Sequence, residues 1–461
     1  MKFVLRMVRE KSRHSNNNDF GEESMIGRKR YIVYAALFTL ISINYIDRVA
    51  LSVAAGPISS ELGLTPVSLG YLLSSFLWPY VLLLLPMGIA ADRYGGRMVA
   101  GLGMGAWSLA TIFTGLATGA SAILTTRIAM GAAESSSYPA GIRIIRDWAP
   151  RSERGLATSI MNSGSYAGPA IGAALVGWLI SIFGWRTSFI VVGAVGFVWL
   201  IAWFAWYGKP EDSKFVGEAE RNKILGEREA DKSGSSVHVE GGGTLGLLRS
   251  PTMLGLSLTQ GCAVYTQYFF LTWLPSYLEN VKHLTVLKSG LFTAAPYAIA
   301  VVCCITFGSI SDRWLKAYGV ASGRRRYVVV IAMVSAAVVL FAPFVENIWL
   351  ILGLVTLSLI GLSTAISMNI TLTGDLLQSP KDAAKAMSVL TIGGNVFGTL
   401  APIVTGYIIS ITGGYDGAFM LAGCLLILGA VICLTLTRKP IEGDAAVASM
   451  RPAANRPSVA S

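Results

Sequence analysis

Four ionisable residues stand where an apolar chain should carry none. Asp47 and Arg48 close the run Asn44-Tyr45-Ile46-Asp47-Arg48, and Arg127 and Glu134 bracket Arg127-Ile-Ala-Met-Gly131-Ala-Ala-Glu134; both runs lie inside long hydrophobic stretches. A charge at the centre of a membrane helix costs roughly 2.5 to 3.5 kcal/mol, so the four together stand for about 10 kcal/mol that pairing or function must offset. A guanidinium binds a carboxylate through two parallel hydrogen bonds and does not lose its charge. A carboxylate in an apolar setting takes a proton more readily, and a nearby arginine opposes that. Two acids and two bases can therefore rest neutral and still offer arginines to an anion and carboxylates to protons.

Helical geometry orders them. Arg127 and Glu134 are two turns apart, about 20° from eclipsed and roughly 10 Å along the axis, so they share a face. Gly131 between them removes bulk and admits another helix or a substrate. Asp47 and Arg48 point about 100° apart, which lets Arg48 face a central cavity with Tyr45 beside it while Asp47 turns to a neighbouring helix. Tyr80, next to Pro79, is a further candidate. Arg48 is expected to receive a substrate carboxylate, and Arg127 to trade between Glu134 and the substrate region. Substrate that draws either arginine away then favours protonation of Glu134 or Asp47. The competing reading is that the four charges only pin helices together.

The chain that surrounds these residues is apolar throughout. Its 461 residues are 53% hydrophobic and 14% charged, with a mean hydropathy of +0.58, whereas soluble domains are about 25% charged. Windows of about 20 apolar residues, enough to cross a hydrocarbon core, recur at residues 31–56, 67–90, 98–117, 122–144, 156–183 and 187–207. They resume at 253–278, 289–310, 327–344, 348–372, 384–411 and 418–436. The expectation is an all-α integral membrane protein of twelve transmembrane helices in two groups of six. Its parts are a tail 1–30, an N-terminal half 31–207, a linker 208–250, a C-terminal half 251–437 and a tail 438–461.

The net charge of +11 does not point to nucleic acid. Basic residues gather in the two tails and after the even-numbered spans, while loops such as Pro57 to Pro66 and Thr412 to Tyr415 carry none. The positive-inside rule then makes both termini and the central loop cytoplasmic, with the basic groups against anionic lipid headgroups. The glycosylation-like triplet Asn369-Ile-Thr371 falls inside a span, in keeping with a bacterial inner membrane. The first apolar run is too long for a signal-peptide core and reads as a retained span. Five cysteines lie in apolar helix sequence and indicate no disulfide framework or metal spacing. His14, His238 and His283 fall outside the spans, and no metal or nucleophile constellation appears, so neither an enzyme nor a bound cofactor is expected. In the linker, Glu211 to Ala230 is expected to hold a surface helix with Phe215, Ile224 and Leu225 toward the bundle, and Ser233 to Gly243 reads as flexible.

The two groups of spans repeat. Gly164-xxx-Gly168, Gly184-Trp185 and Phe189 recur as Gly394-xxx-Gly398, Gly414-Tyr415 and Phe419 at one constant offset. The loop Gly88-Ile-Ala-Ala-Asp92-Arg93-Tyr-Gly95-Gly-Arg97 recurs in degenerate form as Gly308-Ser-Ile-Ser-Asp312-Arg313. A duplicated six-helix half explains both.

The Gly88 to Arg97 stretch resembles the signature loop of the major facilitator superfamily, over a match running from Arg30 to Arg438. Within it, Asn44-Tyr-Ile-Asp47-Arg48, Arg127-xxx-Gly131-xx-Glu134 and Trp148-Ala-Pro150-Arg-Ser-Glu153-Arg154-Gly155 look like the anion:cation symporter group, whose bacterial members carry galactonate, glucarate and hexuronates. The resemblance implies proton-coupled uptake of an organic anion by alternating access, with protons as the coupling ion. Asp92, Arg93 and Arg97, at the cytoplasmic edge, are assigned to loop geometry and gating.

The second half has no charge at mid-membrane depth. Its polar residues there, Gln260, Tyr265, Gln267, Ser367, Asn369, Thr371 and Asn395, are neutral and suit hydroxyls. By resemblance, Gln260 and Asn395 stand where sugar-acid carriers grip hydroxyls, as do Ser367 and Asn369; Ile370 stands near where some of them carry an aromatic residue. The bland alternative is that such residues glue neighbouring helices. A sugar acid is the first expectation, because polar groups of a site left unpaired are costly. Aromatic or dicarboxylic acids such as phthalate or tartrate come next, given Tyr45, Tyr80, Tyr265 and Tyr268. A proton-antiport drug exporter and a transporter-like sensor are the remaining alternatives, and a monomer is expected.

Overall fold

The computed structural model describes residues 29–211, 216–234, 247, 249–318, 325–377 and 382–441. The tails 1–28 and 442–461, with His14, lie outside the described residues, as do Phe215, His238 and most of the Ser233 to Gly243 stretch. Every named element is helical. The first half contains α1 (Arg30–Val53), α2 (Ala55–Leu62), α3 (Pro66–Ser74), α4 (Leu77–Tyr94), α5 (Gly96–Gly115), α6 (Ala120–Glu134), α7 (Ser137–Trp148) and α8 (Arg154–Trp206). The second contains α10 (Pro251–Asn280), α11 (Val286–Tyr318), α12 (Arg325–Ala336), α13 (Ile348–Leu376), α14 (Ala383–Thr412) and α15 (Asp416–Leu436), with α9 (Glu218–Gly234) between the halves. Large apolar side chains such as Leu82, Phe344 and Ile411 are exposed, as a bundle solvated by lipid requires.

Several helices depart from the spans expected. The second span is two helices, α3 and α4, and the fourth is α6 followed by α7. Hydroxyls make those breaks tolerable, because a backbone group freed from the ladder needs another partner in hydrocarbon. Ser75 donates to the Leu72 carbonyl (2.8 Å), and Ser135, Ser136 and Ser137 donate to the carbonyls of Ala132, Ala133 and Glu134 at 2.6, 2.7 and 2.7 Å. α8 covers two spans and reverses at Gly184, whose φ of +76° is a left-handed setting that glycine adopts without strain. The surface helix expected from Glu211 instead begins at Glu218, after Gly217, and buries Ile224 against the bundle.

Each half is built on the same close helix pair. A Cβ on Gly164 would lie 2.7 Å from the Phe38 carbonyl oxygen of α1, and one on Gly394 would lie 3.1 Å from Gln260 Cγ of α10. The halves also meet each other tightly on the face opposite the bundle's two chain ends. There a Cβ on Gly70 would come 2.6 Å from the Pro402 carbonyl oxygen, and one on Gly177 3.1 Å from that of Val286. Ser52 of α1 donates to the Leu271 carbonyl of α10 (2.8 Å) on the same side of mid-depth.

Candidate functional site

The site forms where the two broken spans touch. Gly131 of α6 lies against the backbone of Phe76, between α3 and α4; a Cβ there would overlap the Phe76 carbonyl oxygen and sit 2.6 Å from its carbonyl carbon. The Phe76 ring lies beneath both arginines, 4.9 Å from Arg48 Cζ and 5.4 Å from Arg127 Cζ. Tyr45 and Tyr80 present their rings to Arg48 at 4.7 and 4.8 Å. Three aromatic faces thus replace part of the water that the guanidinium gave up.

Arg48 Nε donates to Glu134 Oε2 at 2.9 Å, with side chains 2% and 0% exposed. Its Nη1 donates to the Tyr268 hydroxyl of α10 at 3.0 Å, so a first-half charge is already in contact with the second half. Arg127 does not pair with Glu134, contrary to the expected exchange partner; its Nη1 donates to the Asp47 carbonyl and to Met130 Sδ, both at 3.2 Å. Residues two turns apart share a face, but ion pairs along one helix form at one turn. Arg48, arriving from α1, reaches the acid instead. Asp47 turns away from Arg48 and accepts from Thr111 of α5 at 3.0 Å.

Several buried polar atoms in this cluster have no partner among the described residues: Asp47 Oδ2, Glu134 Oε1, Arg48 Nη2, Arg127 Nε and both amide atoms of Asn44. Such atoms are costly in a folded protein unless a ligand, proton or water engages them. Sequence reasoning did not single out Phe76, Thr111 or Tyr138. Tyr138 stands within electrostatic reach of Tyr45, Tyr80 and Arg48. Its only sequence signal was its place four residues after Glu134.

Across the seam, Asn369 donates to Gln260 Oε1 (2.9 Å) and to the Leu256 carbonyl (3.0 Å), joining α13 to α10. The Tyr265 hydroxyl is buried without a partner among the described residues. Ser367 is exposed and lies about 160° round the helix from Asn369, so the structure does not bring the two together. Asn395 is half-buried and gives its amide to the Thr391 carbonyl at 2.9 Å. Ile370 is 41% exposed.

The residues expected to gate cluster at the α4–α5 turn, on the face bearing the chain ends. Asp92 accepts from Arg143 of α7 at 3.3 Å, Arg97 donates to the Phe204 carbonyl of α8 at 2.8 Å, and Arg93 lies over Tyr94. Gly95 makes the turn with a φ of +83°. The side chains of the degenerate copy, Asp312 and Arg313, lie outside the described residues. On the same face Arg30 pairs with Glu153 (2.7 Å) and Glu220 (2.9 Å), which ties α9 to the first half. Among the described residues no cluster of histidine, cysteine or acidic side chains is arranged to hold a metal.

Two six-helix halves around a buried, charged, inter-half site define a membrane transporter rather than an enzyme. The chain belongs to the Major Facilitator Superfamily, whose family model matches residues 37–321 and 317–459. It is 30% identical to the probable galactarate/D-glucarate transporter GudP of Escherichia coli (strain K12), over 90% of this chain and 96% of that protein. It is 28% identical to the D-galactonate transporter of Escherichia coli O6:H1, over 89% of this chain and 96% of that one. Among solved structures, the inward-open xylose transporter XylE from E. coli superposes with a TM-score of 0.69 at 13% identity, covering 91% of this chain and 99% of that one. That last likeness concerns the fold.

Proposed function

We propose that this transporter imports a sugar acid together with protons across a bacterial inner membrane, both chain ends facing the cytoplasm. The observation that carries the reading is the buried Arg48–Glu134 pair in contact with Tyr268 of the other half. A substrate carboxylate competes with Glu134 for Arg48, whose Nη2 has no other partner among the described residues. Glu134 released from its cation in a dry site then favours a proton, which ties anion and proton occupancy together. Asp47, whose carboxylate accepts from Thr111 and from no arginine among the described residues, is the second proton carrier. Gln260 and Asn369 face substrate hydroxyls, and the sugar-acid names of the relatives support that choice.

The test is transport by purified protein in liposomes. Glu134→Gln is expected to retain substrate counterflow and lose accumulation driven by a pH gradient; undiminished uphill uptake by this variant would refute the coupling. A thermal-shift screen against glucarate, galactarate, galactonate and phthalate identifies the anion, and Arg48→Lys should abolish the shift. One observation favours an aromatic carboxylate as the second reading: three aromatic rings lie within 5 Å of Arg48 Cζ. Stabilisation by phthalate without any by the sugar acids would select it.

A further inference from the structure

A carboxyl group outside the charged cluster lies in the seam itself. Glu279, next to last in α10, presses Oε2 against Gly56 of α2, so closely that a Cβ on Gly56 would strike it. Its other oxygen, Oε1, is buried with no partner among the described residues. α2 belongs to one half and α10 to the other, so this contact exists only while the two halves are together on that face.

Among the described residues no cation is paired with this carboxyl. The Ser289 hydroxyl of α11 lies beside Glu279 but spends its proton on the Pro275 carbonyl at 2.9 Å. Gly56 brings backbone and no cation. Other titratable groups on the surrounding elements are engaged elsewhere. On α2, Glu61 accepts from Trp185 (2.8 Å) and Arg186 (2.7 Å). Lys282 donates to the Glu346 carbonyl at 3.1 Å, and Lys288 and His283 are exposed. At the start of α15, Tyr415 is the titratable group that feels Glu279, and its hydroxyl accepts from Asn280 at 3.1 Å. Asp416, next to it, adds no cation. An ionised Glu279 would sit in this contact without a counter-ion, which a closed seam does not tolerate.

We propose that Glu279 is a proton-binding site distinct from the Asp47 and Glu134 pair, closing the seam when protonated and parting it when ionised. It rests on transport by alternating access, which the family resemblance implies, and on neither the substrate nor the central proton carriers. Exposed to water in the seam-open form, Glu279 ionises; the seam closes again once it regains its proton. Closure on that face thus consumes a proton before the central site is reached.

Ser59, one turn along α2 from Gly56, has a buried hydroxyl without a partner among the described residues, and serves as the reporter. Ser59→Cys protein in lipid nanodiscs, where both faces meet solvent, is labelled with a charged maleimide across a pH series. Rates are normalised to Ser60→Cys, an exposed neighbour that carries the thiol's own pH dependence, after subtraction of the parent protein. The normalised rate is expected to rise about threefold or more between about pH 5.5 and about pH 8.5, and Glu279→Gln should hold it at the slow, acid-form value throughout. A flat profile in the Ser59→Cys protein overturns the proposal on its own, even if Glu279→Gln fails to fold. So does a Glu279→Gln profile that follows the parent. Neither result bears on Glu134, whose part is read from uphill uptake.

Discussion

The two halves are copies of one scaffold put to different use. In the first, α8 lies on α1 backbone to backbone: a Cβ on Gly168 would be 2.6 Å from the Ser42 carbonyl oxygen and from Tyr45 Cβ. At the matching position of the second, a Cβ on Gly398 would meet the Tyr268 ring at 2.7 Å, a side chain in place of backbone. The first half holds Asp47, Arg48, Arg127 and Glu134 at 0 to 3% exposure, while the second holds neutral Gln260 and Asn369. Buried charges need fixed partners, because a small displacement leaves each ion without its counter-ion. Neutral amides forgive such displacement, so on the proposed sugar-acid reading the second half can adapt to hydroxyls.

Breaking the tight half should do the most damage. Arg48→Ala leaves Glu134 buried and unpaired, a loss of about 3 to 5 kcal/mol for a broken buried pair, and transport should fall to background in liposome uptake. Adding Glu134→Gln to that variant should recover most of the lost melting temperature and none of the transport. Gly164→Ala against Gly394→Ala tests the same contrast without charge. The first forces α8 off the α1 backbone and should cost about 2 kcal/mol or more, whereas the second meets movable side chains and should cost less than about 1 kcal/mol. Equal melting temperatures for the two would remove the distinction between the halves. Gln260→Ala should raise KM about fivefold with kcat nearly kept, since a lost neutral hydrogen bond is worth about 1 kcal/mol.

The smallest effect is expected at the surface. Arg186 and the Trp185 indole hold the Glu61 carboxyl below its ordinary value. A group lowered on folding stabilises above its unfolded value and loses that contribution as pH falls through the folded one. The difference in melting temperature between the protein and Glu61→Gln should therefore be small at neutral pH and vanish in acid.

Much of this was written in the chain. Apolar runs of membrane length, the placement of lysine and arginine, and glycines recurring at one offset specify spans and duplication, because each depends on local composition. The Gly88 to Arg97 turn was legible for the same reason, its glycine being needed at a positive φ. The charged residues announced themselves by cost alone. Their partners did not: sequence spacing favoured Arg127 for Glu134, yet the acid went to Arg48. That choice depends on how far α1 reaches across α6, which no single helix encodes.

Phe76, Tyr138 and Thr111 were likewise invisible, since an aromatic or threonine in an apolar run carries no signal until a cation or carboxylate lies against it. Ser367 and Asn369 are two residues apart in sequence, and a helix turns them about 160° from each other. Glu279 lay at the end of a span, where an acid is ordinary. Only the meeting of α10 with α2 leaves one of its oxygens buried without a partner among the described residues, because that contact belongs to the assembled pair of helices and not to either stretch of sequence.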